Sequence, residues 1–80
     1  MEINSNNNIK HLEKVIFFDD TTKTENYYTT DPKIAHDLLL LGHQVRAVEV
    51  GSHWGTSYIK DMDIKNHVFK TQSGSVYTFS

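Results

Sequence analysis

Trp54 is the only tryptophan of the chain, and it stands in the stretch Gly51-Ser52-His53-Trp54-Gly55-Thr56-Ser57-Tyr58, between glycines rather than inside a regular element. An indole carried on a loop offers a flat face for a nucleobase, and such stacking contributes about 1–3 kcal/mol per base. Gly55, Thr56 and Ser57 follow with backbone amides and two hydroxyls, groups suited to phosphate oxygens. Arg46 upstream and Lys60 downstream add cations for charge-assisted contacts. A purely structural alternative exists: the indole plugs a thin core and the glycines serve the turn alone. A second hydroxyl group closes the chain, with Thr71, Ser73 and Ser75 leading into Tyr77. There Ser73-Gly74 is ordinary hairpin chemistry that needs no ligand.

Other chemistries find less support. The five histidines form no HxH, HxxxH or HExxH pattern, and no cysteine assists them, so no metal site is expected. Ser57, Ser73 and Ser75 have no nucleophile elbow around them. Asp61 and Asp63 alternate on a strand and face one side, as paired acid–base carboxylates would. The simpler account pairs Asp61 with Lys70 and leaves Asp63 solvated. The chain is therefore expected to bind rather than to catalyse, with no cofactor.

Composition bounds the partners. Eight basic residues face ten acidic ones for a net charge of −2, so the basic surplus of a duplex-binding protein is missing. No nucleic-acid polymer is expected as a partner, although a small anion needs only a few placed groups. The apolar runs are too short to span a bilayer, and the polar start MEINSNNNIK lacks the apolar stretch of a secretory signal. Absence of cysteine fits a reducing compartment, and the expected location is the cytoplasm. A chain of 80 residues buries only about 60–65% of its unfolded surface, so its core is thin. Small folds without staples often gain burial by associating, and a homo-oligomer is expected, as a dimer, tetramer or larger assembly.

These side chains need elements to hold them. Asn-rich residues 1–8 read as a disordered arm, and 9–80 as a single α+β domain. Ile9 to Lys14 is ambiguous between a helical turn and a strand. Lys14–Phe18 is a run of β-branched and aromatic residues, read as a strand buried on both faces. After the polar loop Asp19–Thr24, Asn26–Thr29 reads as its antiparallel partner. Asp31-Pro32 is the clearest local signal, a capping carboxylate followed by a proline suited to the first helical position. The helix runs to Leu41, with Ile34, Leu38 and Leu41 on one face, Ala35 and Leu39 beside them, and Gly42 as the stop. Leu40 falls on the flank, more apolar surface than one stripe needs, which points to contact with another subunit.

Strands then follow at Gln44–Val50, Ser57–Ile64, Val68–Gln72 and Ser75–Phe79, the last three joined by turns at Lys65-Asn66 and Ser73-Gly74. Two-residue turns set Asp61 opposite Lys70 and Met62 opposite Phe69, both favourable cross-strand pairs. In the last hairpin they set Lys70 opposite Tyr77, Phe69 opposite Thr78, Val68 opposite Phe79 and Thr71 opposite Val76. The expected architecture is α+β: one bent antiparallel sheet of about six strands, in the order β-β-α-β-β-β-β, with one short helix packed on it. In that register apolar groups lie on both faces of the last hairpin. One helix covers only one of them.

From Trp54 onward, WGTSYI followed by FKTQSGSVYTF resembles small bacteriophage anti-defence proteins, the nucleotide sponges that counter CBASS and Thoeris signalling. The resemblance covers the last thirty or so residues and does not reach the N-terminal half. It implies a homo-oligomer that sequesters a cyclic nucleotide messenger in the host cytoplasm without cleaving it, in pockets at or near subunit interfaces. It also implies that Trp54 stacks on a base, that Thr56 and Ser57 hold phosphate or ribose oxygens, and that Thr71, Ser73, Ser75 and Tyr77 line the pocket. Two other classes stay open: an inhibitor that blocks a host defence enzyme, as anti-CRISPR proteins do, and a structural phage protein.

Overall fold

The computed structural model of the protein describes residues 9–22 and 27–80. The expected arm at residues 1–8, and the part of the expected loop and strand at residues 23–26, lie outside the described residues. In chain order the elements are β1 (Ile9–Leu12), β2 (Val15–Asp19), β3 (Tyr27–Thr29), α1 (Pro32–Leu40), β4 (Val45–Glu49), β5 (Ile59–Asp63), β6 (Val68–Thr71) and β7 (Val76–Phe79). The fold is α+β, as expected. Its seven strands form two sheets rather than one, a four-stranded sheet ordered β1-β7-β6-β5 and a three-stranded sheet ordered β3-β2-β4.

The split has a local cause. Leu12 is buried at the end of β1, and Lys14 then takes a left-handed backbone (φ 52°), which turns the chain from the first sheet into β2 of the second. The ambiguous Ile9–Leu12 segment is thereby a strand, parallel to β7, with Ile9 opposite Val76 and Leu12 opposite Phe79. A four-residue segment with a single buried side chain carries too little periodicity to declare this in advance.

Strand β2 is also more one-sided than its apolar run suggests. Val15, Phe17 and Asp19 are buried, whereas Ile16 and Phe18 are half-buried on the outer face, where the Arg46 guanidinium lies 5.0 Å from the Phe18 ring. The inner faces of the two sheets meet around Phe17, whose ring stands edge-on to Phe69 at 6.2 Å and to Phe79 at 5.7 Å. Around them lie Leu12, Val15, Val45, Ala47 and Ile59. Helix α1 adds Ala35, fully buried, with Leu38 and Leu39 packed beside it.

The helix begins as expected: the Asp31 carboxylate accepts from the Lys33 amide at 2.9 Å, and Pro32 occupies the first helical position. It ends one residue early. Leu41 is the cap, Gly42 adopts φ 87°, and the His43 and Gly42 amides donate to the carbonyls of Leu38 (3.0 Å) and Leu39 (2.9 Å), a Schellman closure. The buried stripe is therefore Ala35, Leu38 and Leu39. Ile34 is 40% exposed and Leu41, like Leu40, is 72% exposed, so the i, i+7 face read from the leucines is displaced toward solvent.

The β5–β6 register agrees with expectation, with Asp61 opposite Lys70 and Met62 opposite Phe69. The β6–β7 register differs by one residue: Lys70 faces Val76, Phe69 faces Tyr77 and Val68 faces Thr78. The cause is the turn. The Gly74 amide donates to the Thr71 carbonyl at 3.0 Å and Gly74 sits at φ 91°, so the loop is three residues long with a glycine bulge, not a two-residue turn. Thr71 consequently faces Ser75, its amide donating to the Ser75 carbonyl at 2.9 Å. Among the described residues no helix is long and apolar enough to cross a membrane.

Candidate functional site

Register decides what the C-terminal hairpin presents. Opposed residues share a face and side chains alternate along a strand, so Phe69, Tyr77, Thr71 and Ser75 all project to one side. Phe69 is buried, and the half-buried Tyr77 ring stacks on it at 5.2 Å with planes 25° apart. Trp54 continues the series, its ring 6.2 Å from Tyr77 and tilted by 30°. The indole is 36% exposed, so it neither stands free nor fills the interior. Lys10, opposite Tyr77 on β1, places its Nζ over the indole, 4.2 Å from the ring centroid. The result is a graded aromatic ladder from core to surface: Phe69, Tyr77, Trp54, then an ammonium. An exposed cation–π contact of this kind contributes about 0.5–1 kcal/mol, less than a stacked base.

The loop that carries Trp54 is anchored on both sides. Ser52 Oγ accepts from the Trp54 amide at 3.2 Å, and Gly55 bridges to Val48 at the edge of β4. A methyl group at Gly55 would lie 3.2 Å from an Arg46 guanidinium nitrogen and 3.2 Å from Val48 Cγ2, so a side chain there would push these neighbours back by a few tenths of an ångström. Thr56 completes the anchor. It is buried, its Oγ1 accepts from the Ala47 amide at 3.0 Å and donates to the Ser57 carbonyl at 2.8 Å, and its own amide donates to the Ala47 carbonyl at 2.8 Å. Its hydroxyl is engaged in these two bonds within the fold.

Ser57, Ser73 and Thr71 come together as a chain of hydroxyls. Ser57 Oγ and Ser73 Oγ lie 2.9 Å apart, and Ser73 Oγ lies 2.9 Å from Thr71 Oγ1. Thr71 is buried and supports the chain from beneath, while Ser57, Ser73 and Ser75 are exposed. The hairpin face that carries Tyr77 therefore also carries, toward its turn, Thr71 and Ser75, with Ser73 bonded to Thr71.

Arg46 is placed elsewhere in the electrostatics. Its Nε donates to Asp20 Oδ2 at 2.8 Å, and the Tyr58 hydroxyl donates to the same oxygen at 3.1 Å. That bond to Asp20 holds the Tyr58 phenol above its ordinary pKa. Arg46 is thus an ion-pair residue of the three-stranded sheet, and Lys60 lies exposed where the β5–β6 register shifts. The cation at the indole is Lys10, which sequence reasoning did not select because forty-three intervening residues conceal its position. The parallel β1–β7 pairing is what delivers it.

The remaining chemistry-bearing groups are structural. His11 has Thr78 Oγ1 at 2.7 Å from Nδ1 and Ser80 Oγ at 2.7 Å from Nε2, which ties β1 to the end of the chain. His43 Nδ1 lies 2.8 Å from Asp19 Oδ2, and His67 stacks on Phe79 at 5.1 Å. Among the described residues no three His, Cys, Asp or Glu side chains converge as metal ligands would. A groove of about 210 Å³ lies along β5, β6 and β7, bordered by Asp61, Asp63, Lys70 and Val76, and none of the residues picked from the sequence for ligand binding lines it.

Compared with protein-family models, with curated proteins and with solved structures, the chain matches none.

Proposed function

We propose that this protein is a non-catalytic binder of a small anionic nucleotide, which it holds intact. What supports the reading is the Trp54 indole, partly exposed and backed by Tyr77 and Phe69, with an ammonium over its ring and the Ser57–Ser73–Thr71 hydroxyl chain toward the turn of the same hairpin. An aromatic platform, a cation and exposed hydroxyls are what a base, a phosphate and a ribose each require. With the resemblance of the WGTSYI and TQSGSVYTF segments to phage nucleotide sponges, the ligand is a cyclic nucleotide immune messenger and the setting is the host cytoplasm. The assembly is a homo-oligomer. Sequestration demands tight binding, and a nanomolar affinity corresponds to about −12 kcal/mol.

The deciding experiment mixes the purified protein with cyclic di- and trinucleotides and cyclic ADP-ribose products, follows binding by calorimetry, then heats the complex and identifies what is released. Recovery of unaltered ligand is the expected result. No heat with any member of the panel overturns the proposal, and release of a cleaved product replaces it with a hydrolase.

A second reading has one observation of its own, the 72% exposure of Leu40 and Leu41 at the end of α1. Paired exposed leucines are unusual enough to mark a protein contact. A stoichiometric protein partner recovered with no small molecule favours an inhibitor of a defence enzyme instead.

A further inference from the structure

We infer that Lys10 makes this site select a nucleotide over a nucleoside, by exchanging the indole for a phosphate when the ligand arrives. The inference rests on the reading that Trp54 stacks a base. In the free protein the ammonium stands over the indole at 4.2 Å. Lys10 is itself exposed, and among the described residues its ammonium has no carboxylate partner. A base laid on the ring beneath that ammonium displaces it. The displaced cation stays tethered to β1, opposite Tyr77, so it remains beside the site on a flexible four-carbon stem.

What the ligand carries then decides the balance. A nucleoside gains the stack but removes the cation from its aromatic partner and gives it nothing in return. A phosphorylated ligand gains the same stack and supplies an anionic oxygen for the displaced ammonium, a charge-assisted hydrogen bond stronger than the contact it replaces. Lys10 thus penalises unphosphorylated competitors and rewards phosphorylated ones from one position. With Arg46 held on Asp20, this role falls to Lys10.

Because Trp54 is the only tryptophan, fluorescence excited at wavelengths beyond tyrosine absorption reports on this ring alone. The test titrates the intact protein and its Lys10→Gln and Lys10→Arg variants with cyclic di- and trinucleotides of adenosine and guanosine, and with adenosine and guanosine themselves. Expected for Lys10→Gln is at least a tenfold loss of affinity for the tightest phosphorylated probe, with nucleoside binding unchanged or improved. Lys10→Arg retains most of the affinity. Acrylamide quenching of the free protein rises in Lys10→Gln, since the cover over the ring is gone. Equal effects on nucleotide and nucleoside, or no effect on either, overturn the exchange while leaving base stacking in place. Failure of every phosphorylated probe to bind the unmodified protein overturns base stacking itself, and the exchange with it.

Discussion

At the end of β2 the Asp19 side chain is buried, and three donors converge on its carboxylate: the Thr21 amide at 3.0 Å, the Thr22 hydroxyl at 2.8 Å and His43 Nδ1 at 2.8 Å. Burial alone would raise this carboxyl, but the bonds from His43, Thr22 and Thr21 outweigh it and hold the pKa below the ordinary value. A carboxyl depressed in the native state contributes stability that is complete above the unfolded value, about 3.9, and is lost as pH falls through the native one. Urea unfolding between pH 6 and pH 3 is expected to show a falling midpoint, with most of the loss below about pH 4. Asp19→Asn costs about 1.5–3 kcal/mol at pH 6 through the lost charge-assisted bonds and flattens that dependence. Trp54 behaves in the opposite way. Because Trp54 is partly exposed, Trp54→Ala is expected to leave the circular dichroism spectrum intact while weakening the tightest nucleotide by about five- to 150-fold in calorimetry. Trp54, Ser57, Ser73 and Tyr77 could be picked out as candidates because a lone loop tryptophan and a hydroxyl-rich hairpin are local signals, and the fold brings Trp54 to Tyr77 and Ser57 to Ser73. The bonds that Thr56 makes to Ala47 and Ser57 were not legible, since nothing local distinguishes a hydroxyl that anchors β4 from one that meets solvent.

Elements were legible where capping or turn chemistry marks them. Asp31-Pro32 and Gly42 bracket the helix to within a residue of its observed end. The stripe it buries was not readable from leucines alone, because Ala35 fits against two sheets where a longer side chain does not. The β5–β6 register followed from a charge pair and an apolar pair, whereas the β6–β7 register turned on whether Gly74 closes a two-residue or a three-residue loop. Gly74 has open space around it but a backbone at φ 91°, so a side chain there is strained without clashing. Gly74→Ala is expected to destabilise the protein by about 1–2 kcal/mol, read as a lower denaturation midpoint. The same substitution invites the neighbouring register, which would carry Tyr77 off the face it shares with Phe69. Loss of nucleotide binding beyond the loss of stability is the sign of that slip.

For the molecule as a whole, the two sheets are held by one aromatic cluster, with Phe17 reaching from the three-stranded sheet to Phe69 and Phe79 of the four-stranded one. Phe17→Ala removes both edge contacts and leaves a cavity, at about 3–5 kcal/mol. Total stability of a small protein is about 5–15 kcal/mol, so this single change is expected to remove a large share of it, read as a strongly lowered denaturation midpoint by circular dichroism. That the sequence specified an α+β protein was clear from one capped helix among short strands. Division into two sheets was not, because it depends on Ile9–Leu12 finding a partner sixty-seven residues away.

That distant pairing sets a tempo. Among the described residues, strand β1 is hydrogen-bonded along β7 only, at the margin of its sheet. It is made before β7 and lacks its pairing partner until Val76–Phe79 has left the ribosome. Contacts of such long sequence separation slow folding, because a large loop must close before they reward it. The position of Lys10 over the indole is thus among the last features of the native state to assemble, and the nascent chain lacks that contact until then.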